Sequence, residues 1–221
     1  MFARYALREV ILGAAVGIGL TIAAATWLPT GFCIAPLLAL GAWLWFFRDP
    51  PRRVPSDANV LLSPADGVIV SIEQQPTSAT HIVITIFLSV FDVHVQRSPL
   101  AGVVAAREHR PGRFRNALDP RSSAENESLT LTLRPTAPGL PNLVRVRQIA
   151  GLIARRIVCR AEIGQSLAAG ERYGMIKFGS RVELTLISDD SWTIVARQRQ
   201  RVSAGETILL RRAGQGASPT S

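Results

Sequence analysis

Three side chains of the 221-residue sequence have the types of an activated-nucleophile triad: Asp66, His94 and Ser180. A serine hydroxyl is a poor nucleophile until a base takes its proton, and histidine, which titrates near neutrality, is the usual base. A carboxylate behind the imidazole orients it and stabilises its charged form. Asp66 lies in Leu62-Ser-Pro-Ala-Asp-Gly-Val68, His94 in Phe91-Asp-Val-His-Val-Gln-Arg-Ser-Pro99, and Ser180 in Tyr173-Gly-Met-Ile-Lys-Phe-Gly-Ser-Arg-Val-Glu183. Singly, each has a plain reading: Asp66-Gly67 as a turn, His94 as a hydrogen-bonded residue after a strand, Gly179-Ser180 as a loop. Together they are more specific. No Gly-x-Ser-x-Gly elbow is present, which argues against an ordinary serine hydrolase.

These residues need a scaffold, and the sequence reads as mainly β over residues 54–212. Gly67–Ile72 and His81–Phe87 are rich in β-branched residues and bounded by turn formers. Leu129–Leu133 alternates Leu and Thr, while Val182–Ser188 and Trp192–Arg197 form a plausible pair across Asp189-Asp190-Ser191. Short strands punctuated by glycine suggest a β-sandwich or barrel-sandwich-like α+β domain. Gln148–Val158 is the one helix expected there, with Ile149, Leu152, Ile153 and Ile157 at helical spacing. Residues 213–221 read as a disordered tail.

A different segment precedes this domain. Val10 to Phe47 is a run of 38 positions without a charged residue. Val10–Leu28 is long enough to cross the hydrocarbon core, Pro29-Thr30-Gly31 breaks the helix, and Phe32–Phe47 ends in an aromatic cluster. Arginines flank both ends: Arg4 and Arg8 before, Arg48, Arg52 and Arg53 after. Residues 1–53 are therefore expected to form a membrane-associated helical hairpin with both ends on the cytoplasmic side. Pro36 shortens the second arm, which leaves open whether it spans or only dips into the bilayer.

Composition removes several classes. Lys plus Arg is 25 and Asp plus Glu 16, a net charge of +9, yet the basic residues are scattered and no nucleic-acid-binding motif appears. Cys33 and Cys159 make no disulfide scaffold, and with His81, His94 and His109 leave little for a metal centre.

The motifs taken in order resemble the phosphatidylserine decarboxylases, in their short prokaryotic form. The likeness runs from about Phe46 to Ile208. It rests on Phe47-Arg-Asp-Pro-Pro51, Ser63-Pro-Ala-Asp-Gly67, Phe91–Pro99, Asn116-Ala117, Glu125-Asn-Glu127, Arg147-Gln-Ile-Ala-Gly151 and Phe178-Gly-Ser180. The resemblance implies a proenzyme that cuts itself between Gly179 and Ser180, with His94 as base and Asp66 orienting it. Ser180 then becomes a covalent pyruvoyl cofactor. Its carbonyl forms a Schiff base with the serine headgroup of a phospholipid and draws electrons as CO2 leaves, giving phosphatidylethanolamine. The resemblance further implies that fragments 1–179 and 180–221 stay associated and form a homo-oligomer. Arg155, Arg156 and Lys177 are candidates for binding the substrate, and Arg113 and Arg115 for contacting lipid phosphate. Some longer members carry a second histidine where this chain has Phe91, so an acid at that position does not carry over. Two other readings stay open: a decarboxylase of another serine-bearing lipid such as archaetidylserine, and a non-catalytic membrane-anchored β module.

Overall fold

The computed structural model describes residues 2–76, 80–117, 119, 121–137, 141, 143–152, 156–177, 179–188 and 192–213. It divides into two compact units, residues 1–51 and 52–221.

The first unit is a pair of apolar helices, α1 (Leu7–Trp27) and α2 (Ile34–Phe46), joined through a 3-10 turn at Thr30–Cys33. At 1.5 Å per residue, the 21 residues of α1 reach about 30 Å, enough to cross a membrane. Its large apolar side chains stay uncovered within the protein: Leu12 is 62% and Val16 61% exposed. The arms meet through small residues. A Cβ on Gly13 would lie 2.1 Å from the Trp43 indole nitrogen, and that indole N–H donates to the Glu9 carbonyl at 3.1 Å. The ends are tied where the Ala3 N–H donates to the Phe47 carbonyl at 2.9 Å.

The regular structure of the second unit, among the described residues, is almost entirely strands: β1 (Val60–Leu62), β2 (Gly67–Pro76), β3 (Thr80–Leu88), β4 (Val95–Arg97), β5 (Gly102–Arg110), β6 (Ser128–Pro135), β7 (Leu143–Ile149), β8 (Ile157–Cys159), β9 (Ser166–Leu167), β10 (Arg172–Ile176), β11 (Ser180–Ser188), β12 (Trp192–Ile194), β13 (Arg201–Val202) and β14 (Ile208–Arg212). A four-residue helix, α3 (Ser122–Glu125), interrupts them. Eight strands form one antiparallel sheet in the order β13-β2-β3-β11-β7-β6-β5-β9. Two three-stranded sheets, β1-β14-β12 and β4-β10-β8, complete the unit.

Period-two alternation makes the core. Ile82, Ile84 and Ile86 of β3, Val182, Leu184 and Leu186 of β11, and Val144 and Val146 of β7 are all buried in one cluster. The chain is thus mainly β with an N-terminal apolar helix, as its sequence pattern implies.

The helix expected over Gln148–Val158 does not form. Gln148 and Ile149 end β7, Ile157–Cys159 is β8, and residues 153–155 lie outside the described residues. Gln148 falls in register with Val144 and Val146 and Ile149 on the other face, both on a strand paired on two sides, with β6 and β11, and that pairing overrides the helical spacing. The tail expected from residue 213 lies, but for Ala213, outside the described residues, as does the Asp189-Asp190-Ser191 turn.

Candidate active site

Ser180 is the first residue of β11, opposite Leu88 of β3. Alternation puts it on the face that Val182 and Leu184 share, and it is fully buried. Its hydroxyl has no hydrogen-bond partner among the described residues. The residue before it, Gly179, sits at φ +61°, in the left-handed region that a side chain disfavours.

His94 is brought to this turn from 85 positions away. The Gly179 N–H donates to His94 Nε2 at 3.1 Å, and His94 Nδ1 lies 2.8 Å from the Asp92 carbonyl oxygen. A carbonyl only accepts, so Nδ1 carries the proton and Nε2 presents its lone pair. The imidazole is therefore neutral, with its basic nitrogen on the residue next to Ser180. The proton it meets is the amide proton of Gly179, so acting on Ser180 requires a shift by one residue.

The backbone around the Gly179 carbonyl is equally tight. A Cβ on Gly151 would lie 2.2 Å from the Gly179 oxygen and 3.4 Å from the Ala117 side chain. Buried Asn126 holds this wall. Its amide donates to the Ala150 carbonyl at 2.8 Å and the Arg115 carbonyl at 2.9 Å, and its oxygen accepts the Arg115 N–H at 2.9 Å. The stretches 116–117, 125–127 and 147–151 thus converge on one peptide bond. On the opposite face of β11, Arg181 donates to the Ser123 hydroxyl at 2.9 Å, and Arg147 pairs with Glu183 at 3.5 Å.

Asp66 takes other partners than those expected of it. Its Oδ2 pairs with Arg52 at 2.7 Å, and its Oδ1 accepts the Ala204 N–H at 2.8 Å. The place expected for it at His94 Nδ1 is filled by the Asp92 backbone carbonyl. Burial pushes the Asp66 carboxyl above its ordinary range, opposed by the Ala204 N–H and Arg52, with the nearby Asp92 charge adding to the rise. Asp92 is itself held by Arg201 at 2.8 Å and by the Ser89 hydroxyl at 2.7 Å. The Asp66 motif supports His94 through the backbone instead: the Arg97 N–H donates to the Pro64 carbonyl at 2.9 Å, and the Leu62 N–H to the Pro99 carbonyl at 2.9 Å. Gly67 permits this corner. At φ +145°, its missing Cβ would fall 2.1 Å from the Phe87 oxygen.

Of the residues expected to bind substrate, Lys177 is buried two positions before Gly179, and its N–H donates to the Arg156 carbonyl at 3.4 Å. Arg156 is exposed, and Arg155 lies outside the described residues. Arg113 and Arg115 both pair with Glu125, at 3.3 and 2.7 Å. Phe91 is exposed. Reading the sequence missed Asp92, Asn126 and Gly151 as parts of the site. Their signal was present, because each lies inside one of the motifs.

Residues 41–210 match the family model of phosphatidylserine decarboxylase. The chain belongs to that family. A phosphatidylserine decarboxylase proenzyme of Rhodopirellula baltica is 42% identical over 214 residues, 95% of this chain and 88% of that protein. The proenzyme of Mycobacterium marinum is 48% identical over 180 residues, 78% of this chain and 73% of its own. That of Chlorobium phaeovibrioides is 37% identical over 221 residues and 96% of both chains. The matched span contains Asp66, His94, Gly151, Gly179 and Ser180, and its decarboxylase relatives carry the word proenzyme in their names. A chain-derived group at the start of β11 fits the residues here: a buried serine whose hydroxyl has no partner among the described residues, a left-handed glycine before it and a basic nitrogen on that glycine's N–H.

Proposed function

We propose that this chain is a phosphatidylserine decarboxylase made as a proenzyme, which cleaves itself between Gly179 and Ser180 and turns Ser180 into a pyruvoyl group. The observation that carries this is the His94 lone pair on the Gly179 N–H, with the buried Ser180 hydroxyl, unpartnered among the described residues, on the next residue. His94 Nε2 takes the hydroxyl proton as Ser180 Oγ attacks the Gly179 carbonyl carbon. The proton passes to the Ser180 nitrogen, the C–N bond breaks and an ester remains. The Gly151 backbone bounds the position of the carbonyl oxygen, which carries the developing charge. Loss of the Ser180 Cα proton then breaks the Oγ–Cβ bond, leaving a carboxylate on Gly179 and dehydroalanine at the new N-terminus. Tautomerisation and addition of water release ammonia.

The pyruvoyl group supplies an electron-withdrawing carbonyl that stabilises the charge left when a serine headgroup loses CO2. The chain's own residues do the rest. Burial of Ser180 and His94 limits access of bulk water, and His94, once protonated at Nε2 from solvent, would supply the proton that replaces CO2 on the headgroup carbon. The two fragments stay together because β11 is paired along its length with β3 on one side and β7 on the other. The substrate is a membrane lipid. The length and apolar surface of α1 support membrane association, and the flanking arginines favour the cytoplasmic side for the β unit.

Intact mass of the denatured protein beside Ser180→Ala tests this reading. Two fragments, 1–179 and 180–221, are expected, the shorter one lighter by one ammonia than its serine form and reactive to carbonyl reagents. The variant stays whole. A wild-type chain that remains a single 23.9 kDa species in a folded preparation overturns it.

A further inference from the structure

Gln96 and Gln148 are both fully buried, at 0% exposure. Gln148 lies on β7 opposite Val182, on the face of the sheet that Val182 shares with Ser180 two residues away. Gln96 lies on β4, two residues after His94 and opposite Gly174 of β10. Their side chains meet across the two sheets, with Gln148 Nε2 donating to Gln96 Oε1 at 3.0 Å. Gly174 makes the room, since a Cβ there would lie 3.3 Å from Gln148 Nε2.

One bond engages two of the four polar atoms that two amides offer. Gln96 Nε2 and Gln148 Oε1 have no partner among the described residues. Exchanging nitrogen and oxygen in both side chains leaves the same balance, one open donor and one open acceptor. Buried polar atoms without partners are costly and few. Two apolar side chains would tie β4 to β7 without that cost, so a purely structural tie does not account for the pair.

A ligand that satisfies it must present an acceptor and a donor close together. The α-carbon of a serine headgroup does so, through its carboxylate and its amine. We propose that Gln96 and Gln148 form the polar wall that receives this headgroup, the open amide N–H taking a carboxylate oxygen and the open amide carbonyl taking an amine hydrogen. The proposal rests on the reading of the chain as a self-processing decarboxylase. Neutral amides suit the task. They orient the bond to be broken without the strong hold on the carboxylate that a guanidinium would exert, which would favour the ground state.

The test uses full-length Gln96→Met, Gln148→Met and the double variant, since methionine keeps the length of glutamine. The double removes both partners together, so it folds even where a single variant strands the other amide. Processing is read by intact mass. Binding is read by titrating short-chain phosphatidylserine and phosphatidylethanolamine into processed protein whose pyruvoyl carbonyl has been reduced with borohydride. The expected result is normal processing, phosphatidylserine binding at least about ten-fold weaker, and phosphatidylethanolamine binding changed less, because it lacks the carboxylate. Processed variants that bind phosphatidylserine like the wild type overturn the proposal alone. So do folded variants that fail to process, which would assign the pair to self-cleavage. A wild-type chain that stays whole removes the underlying reading as well.

Discussion

The Gly179–Ser180 turn and the Asp66 corner were expected to share one triad, and they treat their polar atoms in opposite ways. At the corner, both Asp66 oxygens are engaged, by Arg52 and the Ala204 N–H. At the turn, the Ser180 hydroxyl is buried without a partner among the described residues, and the basic nitrogen of His94 rests on a backbone N–H. An unpaired buried hydroxyl costs about 1–3 kcal/mol. A satisfied carboxylate holds a shape, whereas a buried hydroxyl without a partner among the described residues leaves its valence open. On the proposed reading the corner positions and the turn performs the chemistry, the two being linked where the Arg97 N–H donates to the Pro64 carbonyl and the Leu62 N–H to the Pro99 carbonyl.

The largest effect that sharpens this contrast is Ser180→Ala. Self-cleavage is lost altogether, while the chain stays folded, because alanine removes the buried hydroxyl without stranding a partner among the described residues. Fragments in its mass spectrum would break the assignment of the turn. Next is His94→Ala, expected to slow cleavage by about 10²–10⁴-fold in a time course on gels. An unchanged rate would move the base elsewhere. Gly151→Ala pushes a methyl group toward the Gly179 carbonyl, 2.2 Å from its oxygen. A displacement of about 1 Å costs about 10²-fold, so slow cleavage with a retained fold by circular dichroism is expected.

Asp66→Asn should act on the other side of the comparison. Asparagine stands in for the neutral carboxyl that burial favours and Arg52 keeps Glu206 as a partner, so stability in urea unfolding changes by less than about 1 kcal/mol, with less than about ten-fold loss of cleavage rate. Cleavage falling as far as in His94→Ala, at unchanged stability, would restore Asp66 as the orienting carboxylate. The smallest effect is in pH. Because the folded Asp66 carboxyl sits above its ordinary range, its contribution to stability is fully present below that range and is lost as pH rises through the raised value. Asp66→Asn should flatten that fall in a series of urea titrations. An identical slope in both proteins would show that other groups set it.

Much of this was legible in the residues. The uncharged run gave α1, and the alternation of Ile82, Ile84 and Ile86 gave β3, because each is a local period matched to one element. Gln148–Val158 was misread because apolar spacing in a short stretch fits helix and strand alike, and only pairing with β6 and β11 decides between them. At the site, the motifs brought Ser180, Gly179 and His94 into one chemistry, and the structure brings all three together. Hydrogen-bond partners were another matter. Nothing local to Asp92 says that its backbone carbonyl, rather than the Asp66 carboxylate, takes the imidazole.

The sequence by itself determined the span and apolar character of α1, the β character of the rest, and which side chains have the chemical capacity to react. These follow from composition and period, which each segment carries alone. Only the tertiary structure decided that Gly151 faces the Gly179 carbonyl, that Gln148 reaches Gln96 across 52 positions, and that Asp66 turns to Arg52. Those contacts join residues far apart in the chain. Packing of one sheet against another selects them, and no local pattern encodes which distant atom fills a given valence.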